Sequence, residues 1–210
     1  MKIGELAKEI HENAVAHGWW EDERSPEEVL ALIHSEWSEA LEEARAGRPL
    51  AYIIVDVSLS PQIEIHNEMI RRGADGRYML NGQEYRDKPE GIAVELIDGC
   101  IRILDYMGHL EASFSDDGED STIESLYVEA NVAKVPDHLP ELVAHLHMYT
   151  SQAMMGMSFH DLHIPDVFAL CRAMAAALSW VKKQGLDPLE ILLEKHEYNK
   201  GRPYKHGKKF

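Results

Sequence analysis

The stretch ELIDGCIRILDYMGHL, residues 95–110, decides the fold, because it reads as a buried helix crossed by one line of charge. On a helical wheel at about 100° per residue, three carboxylates and one guanidinium fall within an arc of about 80°. They are Glu95, Asp98, Arg102 and Asp105. Apolar side chains cover most of the remaining surface, whereas a solvated face would be wider and would mix charges freely. The stretch therefore predicts a helix that is packed on nearly every side around one polar stripe.

A second stretch, HSEWSEALEEAR at residues 34–45, shows a matching feature. Glu36 and Glu39 lie one helical turn apart, and Glu36 falls inside the apolar arc of its helix. Burying a lone carboxylate costs several kcal/mol and raises its pKa. If the two helices pack against each other, both acidic pairs converge. Like charges at such range require a cation, most simply a divalent metal ion.

The donor atoms indicate which metal and which chemistry to expect. A set of ligands that are all oxygens favours Mg²⁺ or Mn²⁺ over zinc. Mg²⁺ normally keeps water ligands and binds substrate phosphates, which points to phosphoryl or nucleotidyl transfer to water. Asp105 is either a further ligand or a support for the ligands. Arg102 either contacts phosphate or forms an internal ion pair. Either acidic pair alone would more often be a solvated helix face.

At these residues the sequence resembles the MazG-like family of all-α nucleoside triphosphate pyrophosphohydrolases. That family carries an E-x-x-E motif on one helix and an E-x-x-D motif on the next, here HSEWSEALEEAR and AVELIDGCIRILDYMG. The C-terminal KHEYNKGRPYKHGKKF is similar to the closing segment common in such proteins. The similar stretches cover about residues 25–46, 89–110 and 185–210. The gap between the two motifs is longer than the compact family pattern.

The resemblance implies Mg²⁺-dependent hydrolysis of a nucleoside or deoxynucleoside triphosphate between the α and β phosphates, giving a monophosphate and pyrophosphate. It implies that the metal, Mg²⁺ or Mn²⁺, is held by Glu36, Glu39, Glu95 and Asp98. A carboxylate of the cluster, Glu36 or Glu39, would orient or deprotonate the attacking water. The alternative is a non-catalytic helical module that binds a nucleotide or serves regulation, and turnover with Mg²⁺ discriminates between the two.

Candidate substrate contacts lie in the basic tail, residues 199–210, and between the first two helices. Arginine forks and lysine charges suit triphosphate oxygens. Composition alone favours a flexible solubilising tail, and the resemblance makes a substrate contact an equal alternative. Trp20, in HGWWED, would either stack on the base or pack the bundle. The tail candidates are Lys200, Arg202, Lys205 and His206.

Helical periodicity predicts an all-α fold, a helical bundle, as a single domain over residues 1–210. The resemblance implies a MazG-like four-helix core with extra helices. The second and third helices should run antiparallel across the metal site. Helices are predicted at about 3–17, 26–45, 89–109, 138–155, 165–184 and from 188 onward. Residues 48–90 should form an insertion, with a short helix near 61–72 and a hairpin around Asn81-Gly82.

Composition limits the partners. The formal net charge is −16, from 37 acidic and 21 basic residues, so nucleic acid polymers and anionic membranes are unfavourable partners. The two cysteines lie in apolar contexts typical of a reducing cytosol, and no signal peptide or membrane span is evident, so we expect a cytoplasmic protein. Exposed apolar helix faces and the resemblance both favour a homodimer or homotetramer. A zinc reading of His145-x-His147 and His160-Asp161-x-His163 lacks a matching second cluster.

Overall fold

The computed structural model describes residues 2–56, 63–65, 77–80, 83–110, 134–159, 166–202 and 204–207. Within these ranges the all-α fold class is confirmed. The helices are α1 (Ile3–Ala16), α2 (Pro26–Arg45), α3 (Ile92–His109), α4 (Leu139–Phe159), α5 (Val167–Lys183) and α6 (Pro188–Lys200). Along the chain between α2 and α3, four strands form a small sheet: β1 (Tyr52–Asp56), β2 (Ile63–Ile65), β3 (Arg77–Leu80) and β4 (Gln83–Glu90). A short 3-10 helix, Tyr204–Gly207, follows α6.

Local signals in the sequence set the helix starts. Ser25 caps α2 by accepting a hydrogen bond from the Glu28 amide at 3.2 Å, with Pro26 in the first turn. This is the start that the sequence predicts, since such a cap satisfies an amide that the helix leaves unpaired. Asp187 caps α6 in the same way, accepting from the Leu189 amide at 3.0 Å. None of the described helices combines the length and apolar character that crossing a bilayer requires.

Helix α3 lies at the centre of the bundle and contacts α1, α2, α5 and α6. Its apolar residues are buried on nearly every side, as the polar stripe predicts. At Gly99 the ring of Trp37 occupies the space that a Cβ would need, so α2 and α3 approach closely. The indole of Trp37 donates to Thr150 Oγ1 on α4 at 3.0 Å, which satisfies the polar atom of a fully buried side chain.

Helices α2 and α3 run antiparallel, as predicted. The end of α2 lies beside the start of α3, because the Ile92 amide donates to the Pro49 carbonyl at 3.4 Å and the Ala93 amide donates to Leu50 at 2.8 Å. Further along α3, Arg102 pairs with Glu36, which lies at the middle of α2 and so before its end. The acidic motifs therefore face each other across one helix pair.

The insertion forms an antiparallel sheet of order β2-β1-β4-β3. The predicted hairpin is confirmed, since Leu80 pairs with Gln83 across residues 81–82. The predicted helix near 61–72 is wrong over 63–65, which form β2, while residues 66–72 lie outside the described ranges. The β-branched residues of this segment pair with β1 instead, where Ile53 is in register with Ile65.

Helix α3 begins at Ile92 and not near Pro89, where the sequence predicts its start. Residues 88–90 instead continue β4, and Pro89 pairs in register with Ile53. The change from strand to helix takes place at Gly91, whose φ of 113° is rarely adopted by residues with a side chain. A Cβ there would also lie 2.8 Å from the Leu50 carbonyl oxygen. The sheet is thus joined to the motif helix through one obligatory glycine.

Candidate metal centre and cleft

Three carboxylates from α2 and α3 form a candidate metal centre. Glu36, Glu39 and Glu95 each offer one oxygen, and these oxygens lie within 4.8 Å of one another. Glu36 and Glu95 are each only 6% exposed, whereas Glu39 faces solvent and accepts a hydrogen bond from Ser35 Oγ at 2.9 Å. The structure therefore brings together three of the four metal ligands that the sequence predicts.

Asp98, the fourth predicted ligand, lines the same cleft but carries its own counter-ion. Its Oδ2 lies 2.9 Å from Nζ of Lys195 on α6, a lysine that is 3% exposed. The same ammonium donates to the Pro89 carbonyl at 3.1 Å. Sequence reasoning missed Lys195, although its position beside the apolar residues Ile191 and Leu192 was a signal of burial. Asp98 thus stands next to the three-carboxylate cluster, held by a buried lysine.

A second cation sits inside the cluster. Arg102 donates from Nε to Glu36 Oε1, which confirms the ion-pair interpretation of this arginine. Together with Lys195, it gives two of the four carboxylates a permanent partner. Because an unpaired buried charge is costly, these two pairs allow the cluster to exist without a metal ion.

Raised pKa values of the buried carboxyl groups limit the negative charge of the cluster. Burial raises the pKa of the Glu95 carboxyl to about 9, with a further upward contribution from Asp98 that Lys195 partly offsets. Burial also raises the pKa of Glu36, against the opposing effect of Arg102. Burial lowers the pKa of Lys195, but Asp98 and Glu95 more than offset this, so its pKa lies above the usual value and the ammonium stays charged. A cation entering the cluster must therefore expel a proton.

The donor set fits Mg²⁺ or Mn²⁺. Two oxygens bound to one Mg²⁺ lie at most about 4.2 Å apart, given bonds of about 2.1 Å, so small side-chain rotations suffice. The cleft encloses about 220 Å³. A water occupies about 30 Å³ in the liquid, so the cleft has room for a hydrated ion and part of a ligand.

Asp105 continues the polar stripe but serves a different contact. Both of its oxygens accept from Nε1 of Trp20, at 2.9 and 3.2 Å, and His11 Nδ1 lies 2.8 Å from Oδ1. The Trp20 ring stacks on His109 with centroids 4.0 Å apart. Trp20 therefore packs the bundle, and its neighbour Trp19 is the tryptophan that lines the cleft. The paired tryptophans gave no sequence signal that distinguished them.

The basic tail is docked beside the cleft, and its members have different surroundings. Arg202 lines the cleft. Lys200 pairs with Glu9 at 2.7 Å and lies outside the cleft lining. The Lys205 amide donates to the His17 carbonyl at 3.0 Å, which ties the tail to the turn between α1 and α2. The side chain of His206 lies outside the described part of the chain. Of the predicted tail contacts, Arg202 is the one that the geometry places in the cleft.

The sheet also contributes to the cleft, through residues that sequence reasoning did not name. Lys88 and Glu90 of β4 line it, as do His196 and Asn199 of α6. The signal for the sheet residues was weak, because their position depends on how a long insertion pairs.

Outside the cleft, the zinc reading of the histidine pairs gains no support from His147. Its Nδ1 lies 2.7 Å from Nδ1 of His34, with the rings stacked 5.0 Å apart. Two nitrogens on one tetrahedral zinc, with bonds of about 2.0 Å, would be roughly 3.3 Å apart. The observed distance is that of a hydrogen bond between the two rings. His160 and His163 lie outside the described ranges. Comparisons with protein-family models, with curated proteins and with solved structures found no match to this chain.

Proposed function

We propose that this protein is a MazG-like pyrophosphohydrolase, which hydrolyses a nucleoside or deoxynucleoside triphosphate between the α and β phosphates in the presence of Mg²⁺. The observation that carries the proposal is the convergence of Glu36, Glu39 and Glu95 within 4.8 Å, on two antiparallel helices. Two of these carboxylates are buried, and carboxylate oxygens gathered at this range are the donors that Mg²⁺ prefers. The resemblance in the two motifs supports the choice of reaction.

The residues of the cluster would have different roles in this reaction. Glu36, Glu39, Glu95 and Asp98 would hold the ion, which when bound offsets the charge of the phosphates and of the departing pyrophosphate. Glu39 is the residue best placed to accept a proton from water, since it faces the cleft solvent while Arg102 holds Glu36. Lys195 keeps Asp98 in position through its ion pair with Oδ2.

The reaction balances as a simple hydrolysis. Water loses a proton to a carboxylate oxygen, and its own oxygen forms a bond to the α phosphorus. The bond between that phosphorus and the bridging oxygen breaks, and the electron pair leaves with pyrophosphate. The products are a nucleoside monophosphate and pyrophosphate. Attack at the γ phosphorus would give a diphosphate and orthophosphate instead, so the products identify the bond that is cut.

The experiment incubates the protein and Mg²⁺ with a panel of ribo- and deoxyribonucleoside triphosphates and separates the products by chromatography. We expect monophosphate and pyrophosphate from at least one substrate. Glu39→Gln should lower kcat at least about 100-fold, as is typical for the loss of a general base. The matched control is Glu42→Gln on the same helix, an exposed residue that pairs with Arg45 at 2.5 Å. Equal activity in both variants, or diphosphate as product, would contradict the proposal.

A further inference from the structure

Strand β4 carries two oppositely charged side chains into the cleft. Lys88 and Glu90 are two residues apart, so they share one face of the strand, and both line the cleft. Pro89 between them is buried, and its carbonyl accepts from Lys195. In the described residues β3 pairs with β4 only over 83–86, so this end of β4 extends beyond the hairpin towards the bundle. The insertion thus ends inside the candidate site.

These two residues stand next to the metal cluster. Lys88 Nζ pairs with Glu90, and the charge of Glu90 acts on both Glu95 and Lys195. Glu95 in turn belongs to the three-carboxylate cluster. The pair of Lys88 and Glu90 therefore lines the same cleft as the cluster.

Two of the other cations that line the cleft are engaged in the structure of the cluster. Arg102 holds Glu36, and Lys195 holds Asp98 and the Pro89 carbonyl. Arg24 pairs with Glu28 at 3.4 Å, and Arg202, which also lines the cleft, lies over the Tyr198 ring. Lys88 differs from Arg102 and Lys195 because its side chain is 36% exposed and its partner, Glu90, is 12% exposed on the same strand. It can exchange this partner for another anion without leaving a cluster carboxylate unpaired.

A metal-bound triphosphate retains negative charge that the site must offset, chiefly on its β and γ phosphates. We propose that Lys88 binds these phosphates by exchanging the Glu90 carboxylate for phosphate oxygens, so that the insertion contributes the group that recognises the pyrophosphate portion of the substrate. The inference rests on the proposed function and assigns the sheet a part in it. Lysine suits this task, as a flexible point charge with three donors.

The test compares how strongly each of the two products inhibits the enzyme and its variants. The wild type, Lys88→Ala and Lys88→Arg are compared for KM, kcat and the inhibition constants of inorganic pyrophosphate and of the nucleoside monophosphate. We expect Lys88→Ala to raise KM and the pyrophosphate inhibition constant about tenfold, or about 1.4 kcal/mol, and to change monophosphate inhibition less than twofold. Lys88→Arg should restore most of the pyrophosphate inhibition. Lys8→Ala, at an exposed lysine of α1 that pairs with Glu12, is the matched control.

Two results would overturn the inference. One is pyrophosphate inhibition in Lys88→Ala that stays within twofold of the wild type. The other is an equal weakening of both inhibitors, which would indicate a structural role. Glu90→Gln gives a second check, because releasing Lys88 should leave pyrophosphate inhibition unchanged or strengthen it. A loss of activity as large as that of Glu39→Gln would instead assign Glu90 to the metal ion.

Failure of the proposed function is distinguishable from failure of this inference. If the wild type turns over no triphosphate, the proposed reaction is wrong, and calorimetry of pyrophosphate binding with Mg²⁺ still tests Lys88. Pyrophosphate that binds the wild type tightly and Lys88→Ala about tenfold more weakly supports the role of the lysine. Equal binding to both proteins, or none to the wild type, overturns it.

Discussion

Burial in the folded protein favours the protonated form of Glu95, whereas metal binding would require its carboxylate form. Its carboxyl is 6% exposed, and burial, then the charge of Asp98, raises its pKa to about 9. In the folded, metal-free protein it holds a proton that the unfolded chain releases near its ordinary pKa of 4.5. The free energy of unfolding should therefore fall as pH rises from about 4.5 through 9.

Replacing this carboxyl should affect hydrolysis and the free energy of unfolding in opposite directions. We expect Glu95→Gln to abolish Mg²⁺-dependent hydrolysis and to raise the free energy of unfolding of the metal-free protein at pH 9 by on the order of 1–2 kcal/mol. At pH 4 the variant and the wild type should be equally stable, because the wild-type carboxyl is then protonated in both states. Urea titration at the two pH values measures this, and a variant that is less stable than the wild type at pH 9 would contradict it.

At the residue scale, sequence reasoning succeeded where a contact follows from local spacing. Glu36 and Glu39 lie on one helix turn, and Glu95 lies on a helix whose apolar arc fixes its direction. It failed for Lys195 and Lys88, because their positions depend on packing between distant segments. Lys195 reaches the Pro89 carbonyl from 106 residues away in the chain. A single sequence does not indicate that two residues so far apart in the chain are in contact.

At the scale of elements, the helices followed from caps and periodicity, and the sheet did not. Ser25 and Asp187 mark helix starts by satisfying amides within three residues. Strand β2, by contrast, exists because β1 offers it a partner, and an isolated segment of that length has no stable strand conformation. The hairpin at 81–82 was accessible because its turn residues act locally.

Gly91 joins the sheet to α3, and its replacement tests this junction. Gly91→Ala combines a φ of 113° with a Cβ 2.8 Å from the Leu50 oxygen and 3.0 Å from Ala51 Cα. We expect a loss of about 3 kcal/mol or more in the free energy of unfolding, since strain and backbone overlap add.

The matched control for this junction is Gly47→Ala. Gly47 has a φ of 70°, and a Cβ there meets nothing within 4 Å. This variant should lose only about 1 kcal/mol, from backbone strain alone. Equal losses in the two variants, measured by denaturant unfolding, would show that the close approach to Leu50 carries no cost.

For the whole molecule, metal affinity and pH should be linked. Glu95 carries a proton below about pH 9 in the metal-free protein, so Mg²⁺ binding must release it. We expect the affinity for Mg²⁺ to rise between pH 7 and 9, by at most about tenfold per pH unit for one displaced proton. Calorimetry in buffers of different ionisation enthalpy counts the protons released. Affinity that is constant over this range, with no proton release, would contradict the assignment of Glu95 as a ligand.

The two ends of the insertion are fastened to each other, since the amides of Ile92 and Ala93 bond to the carbonyls of Pro49 and Leu50. These hydrogen bonds join the segment after α2 to the start of α3, whatever the segment between them contains. We expect changes within the sheet to alter what reaches the cleft while the helix pair that holds the carboxylates stays in place. Under the proposed function, substrate preference could then change independently of the carboxylate cluster.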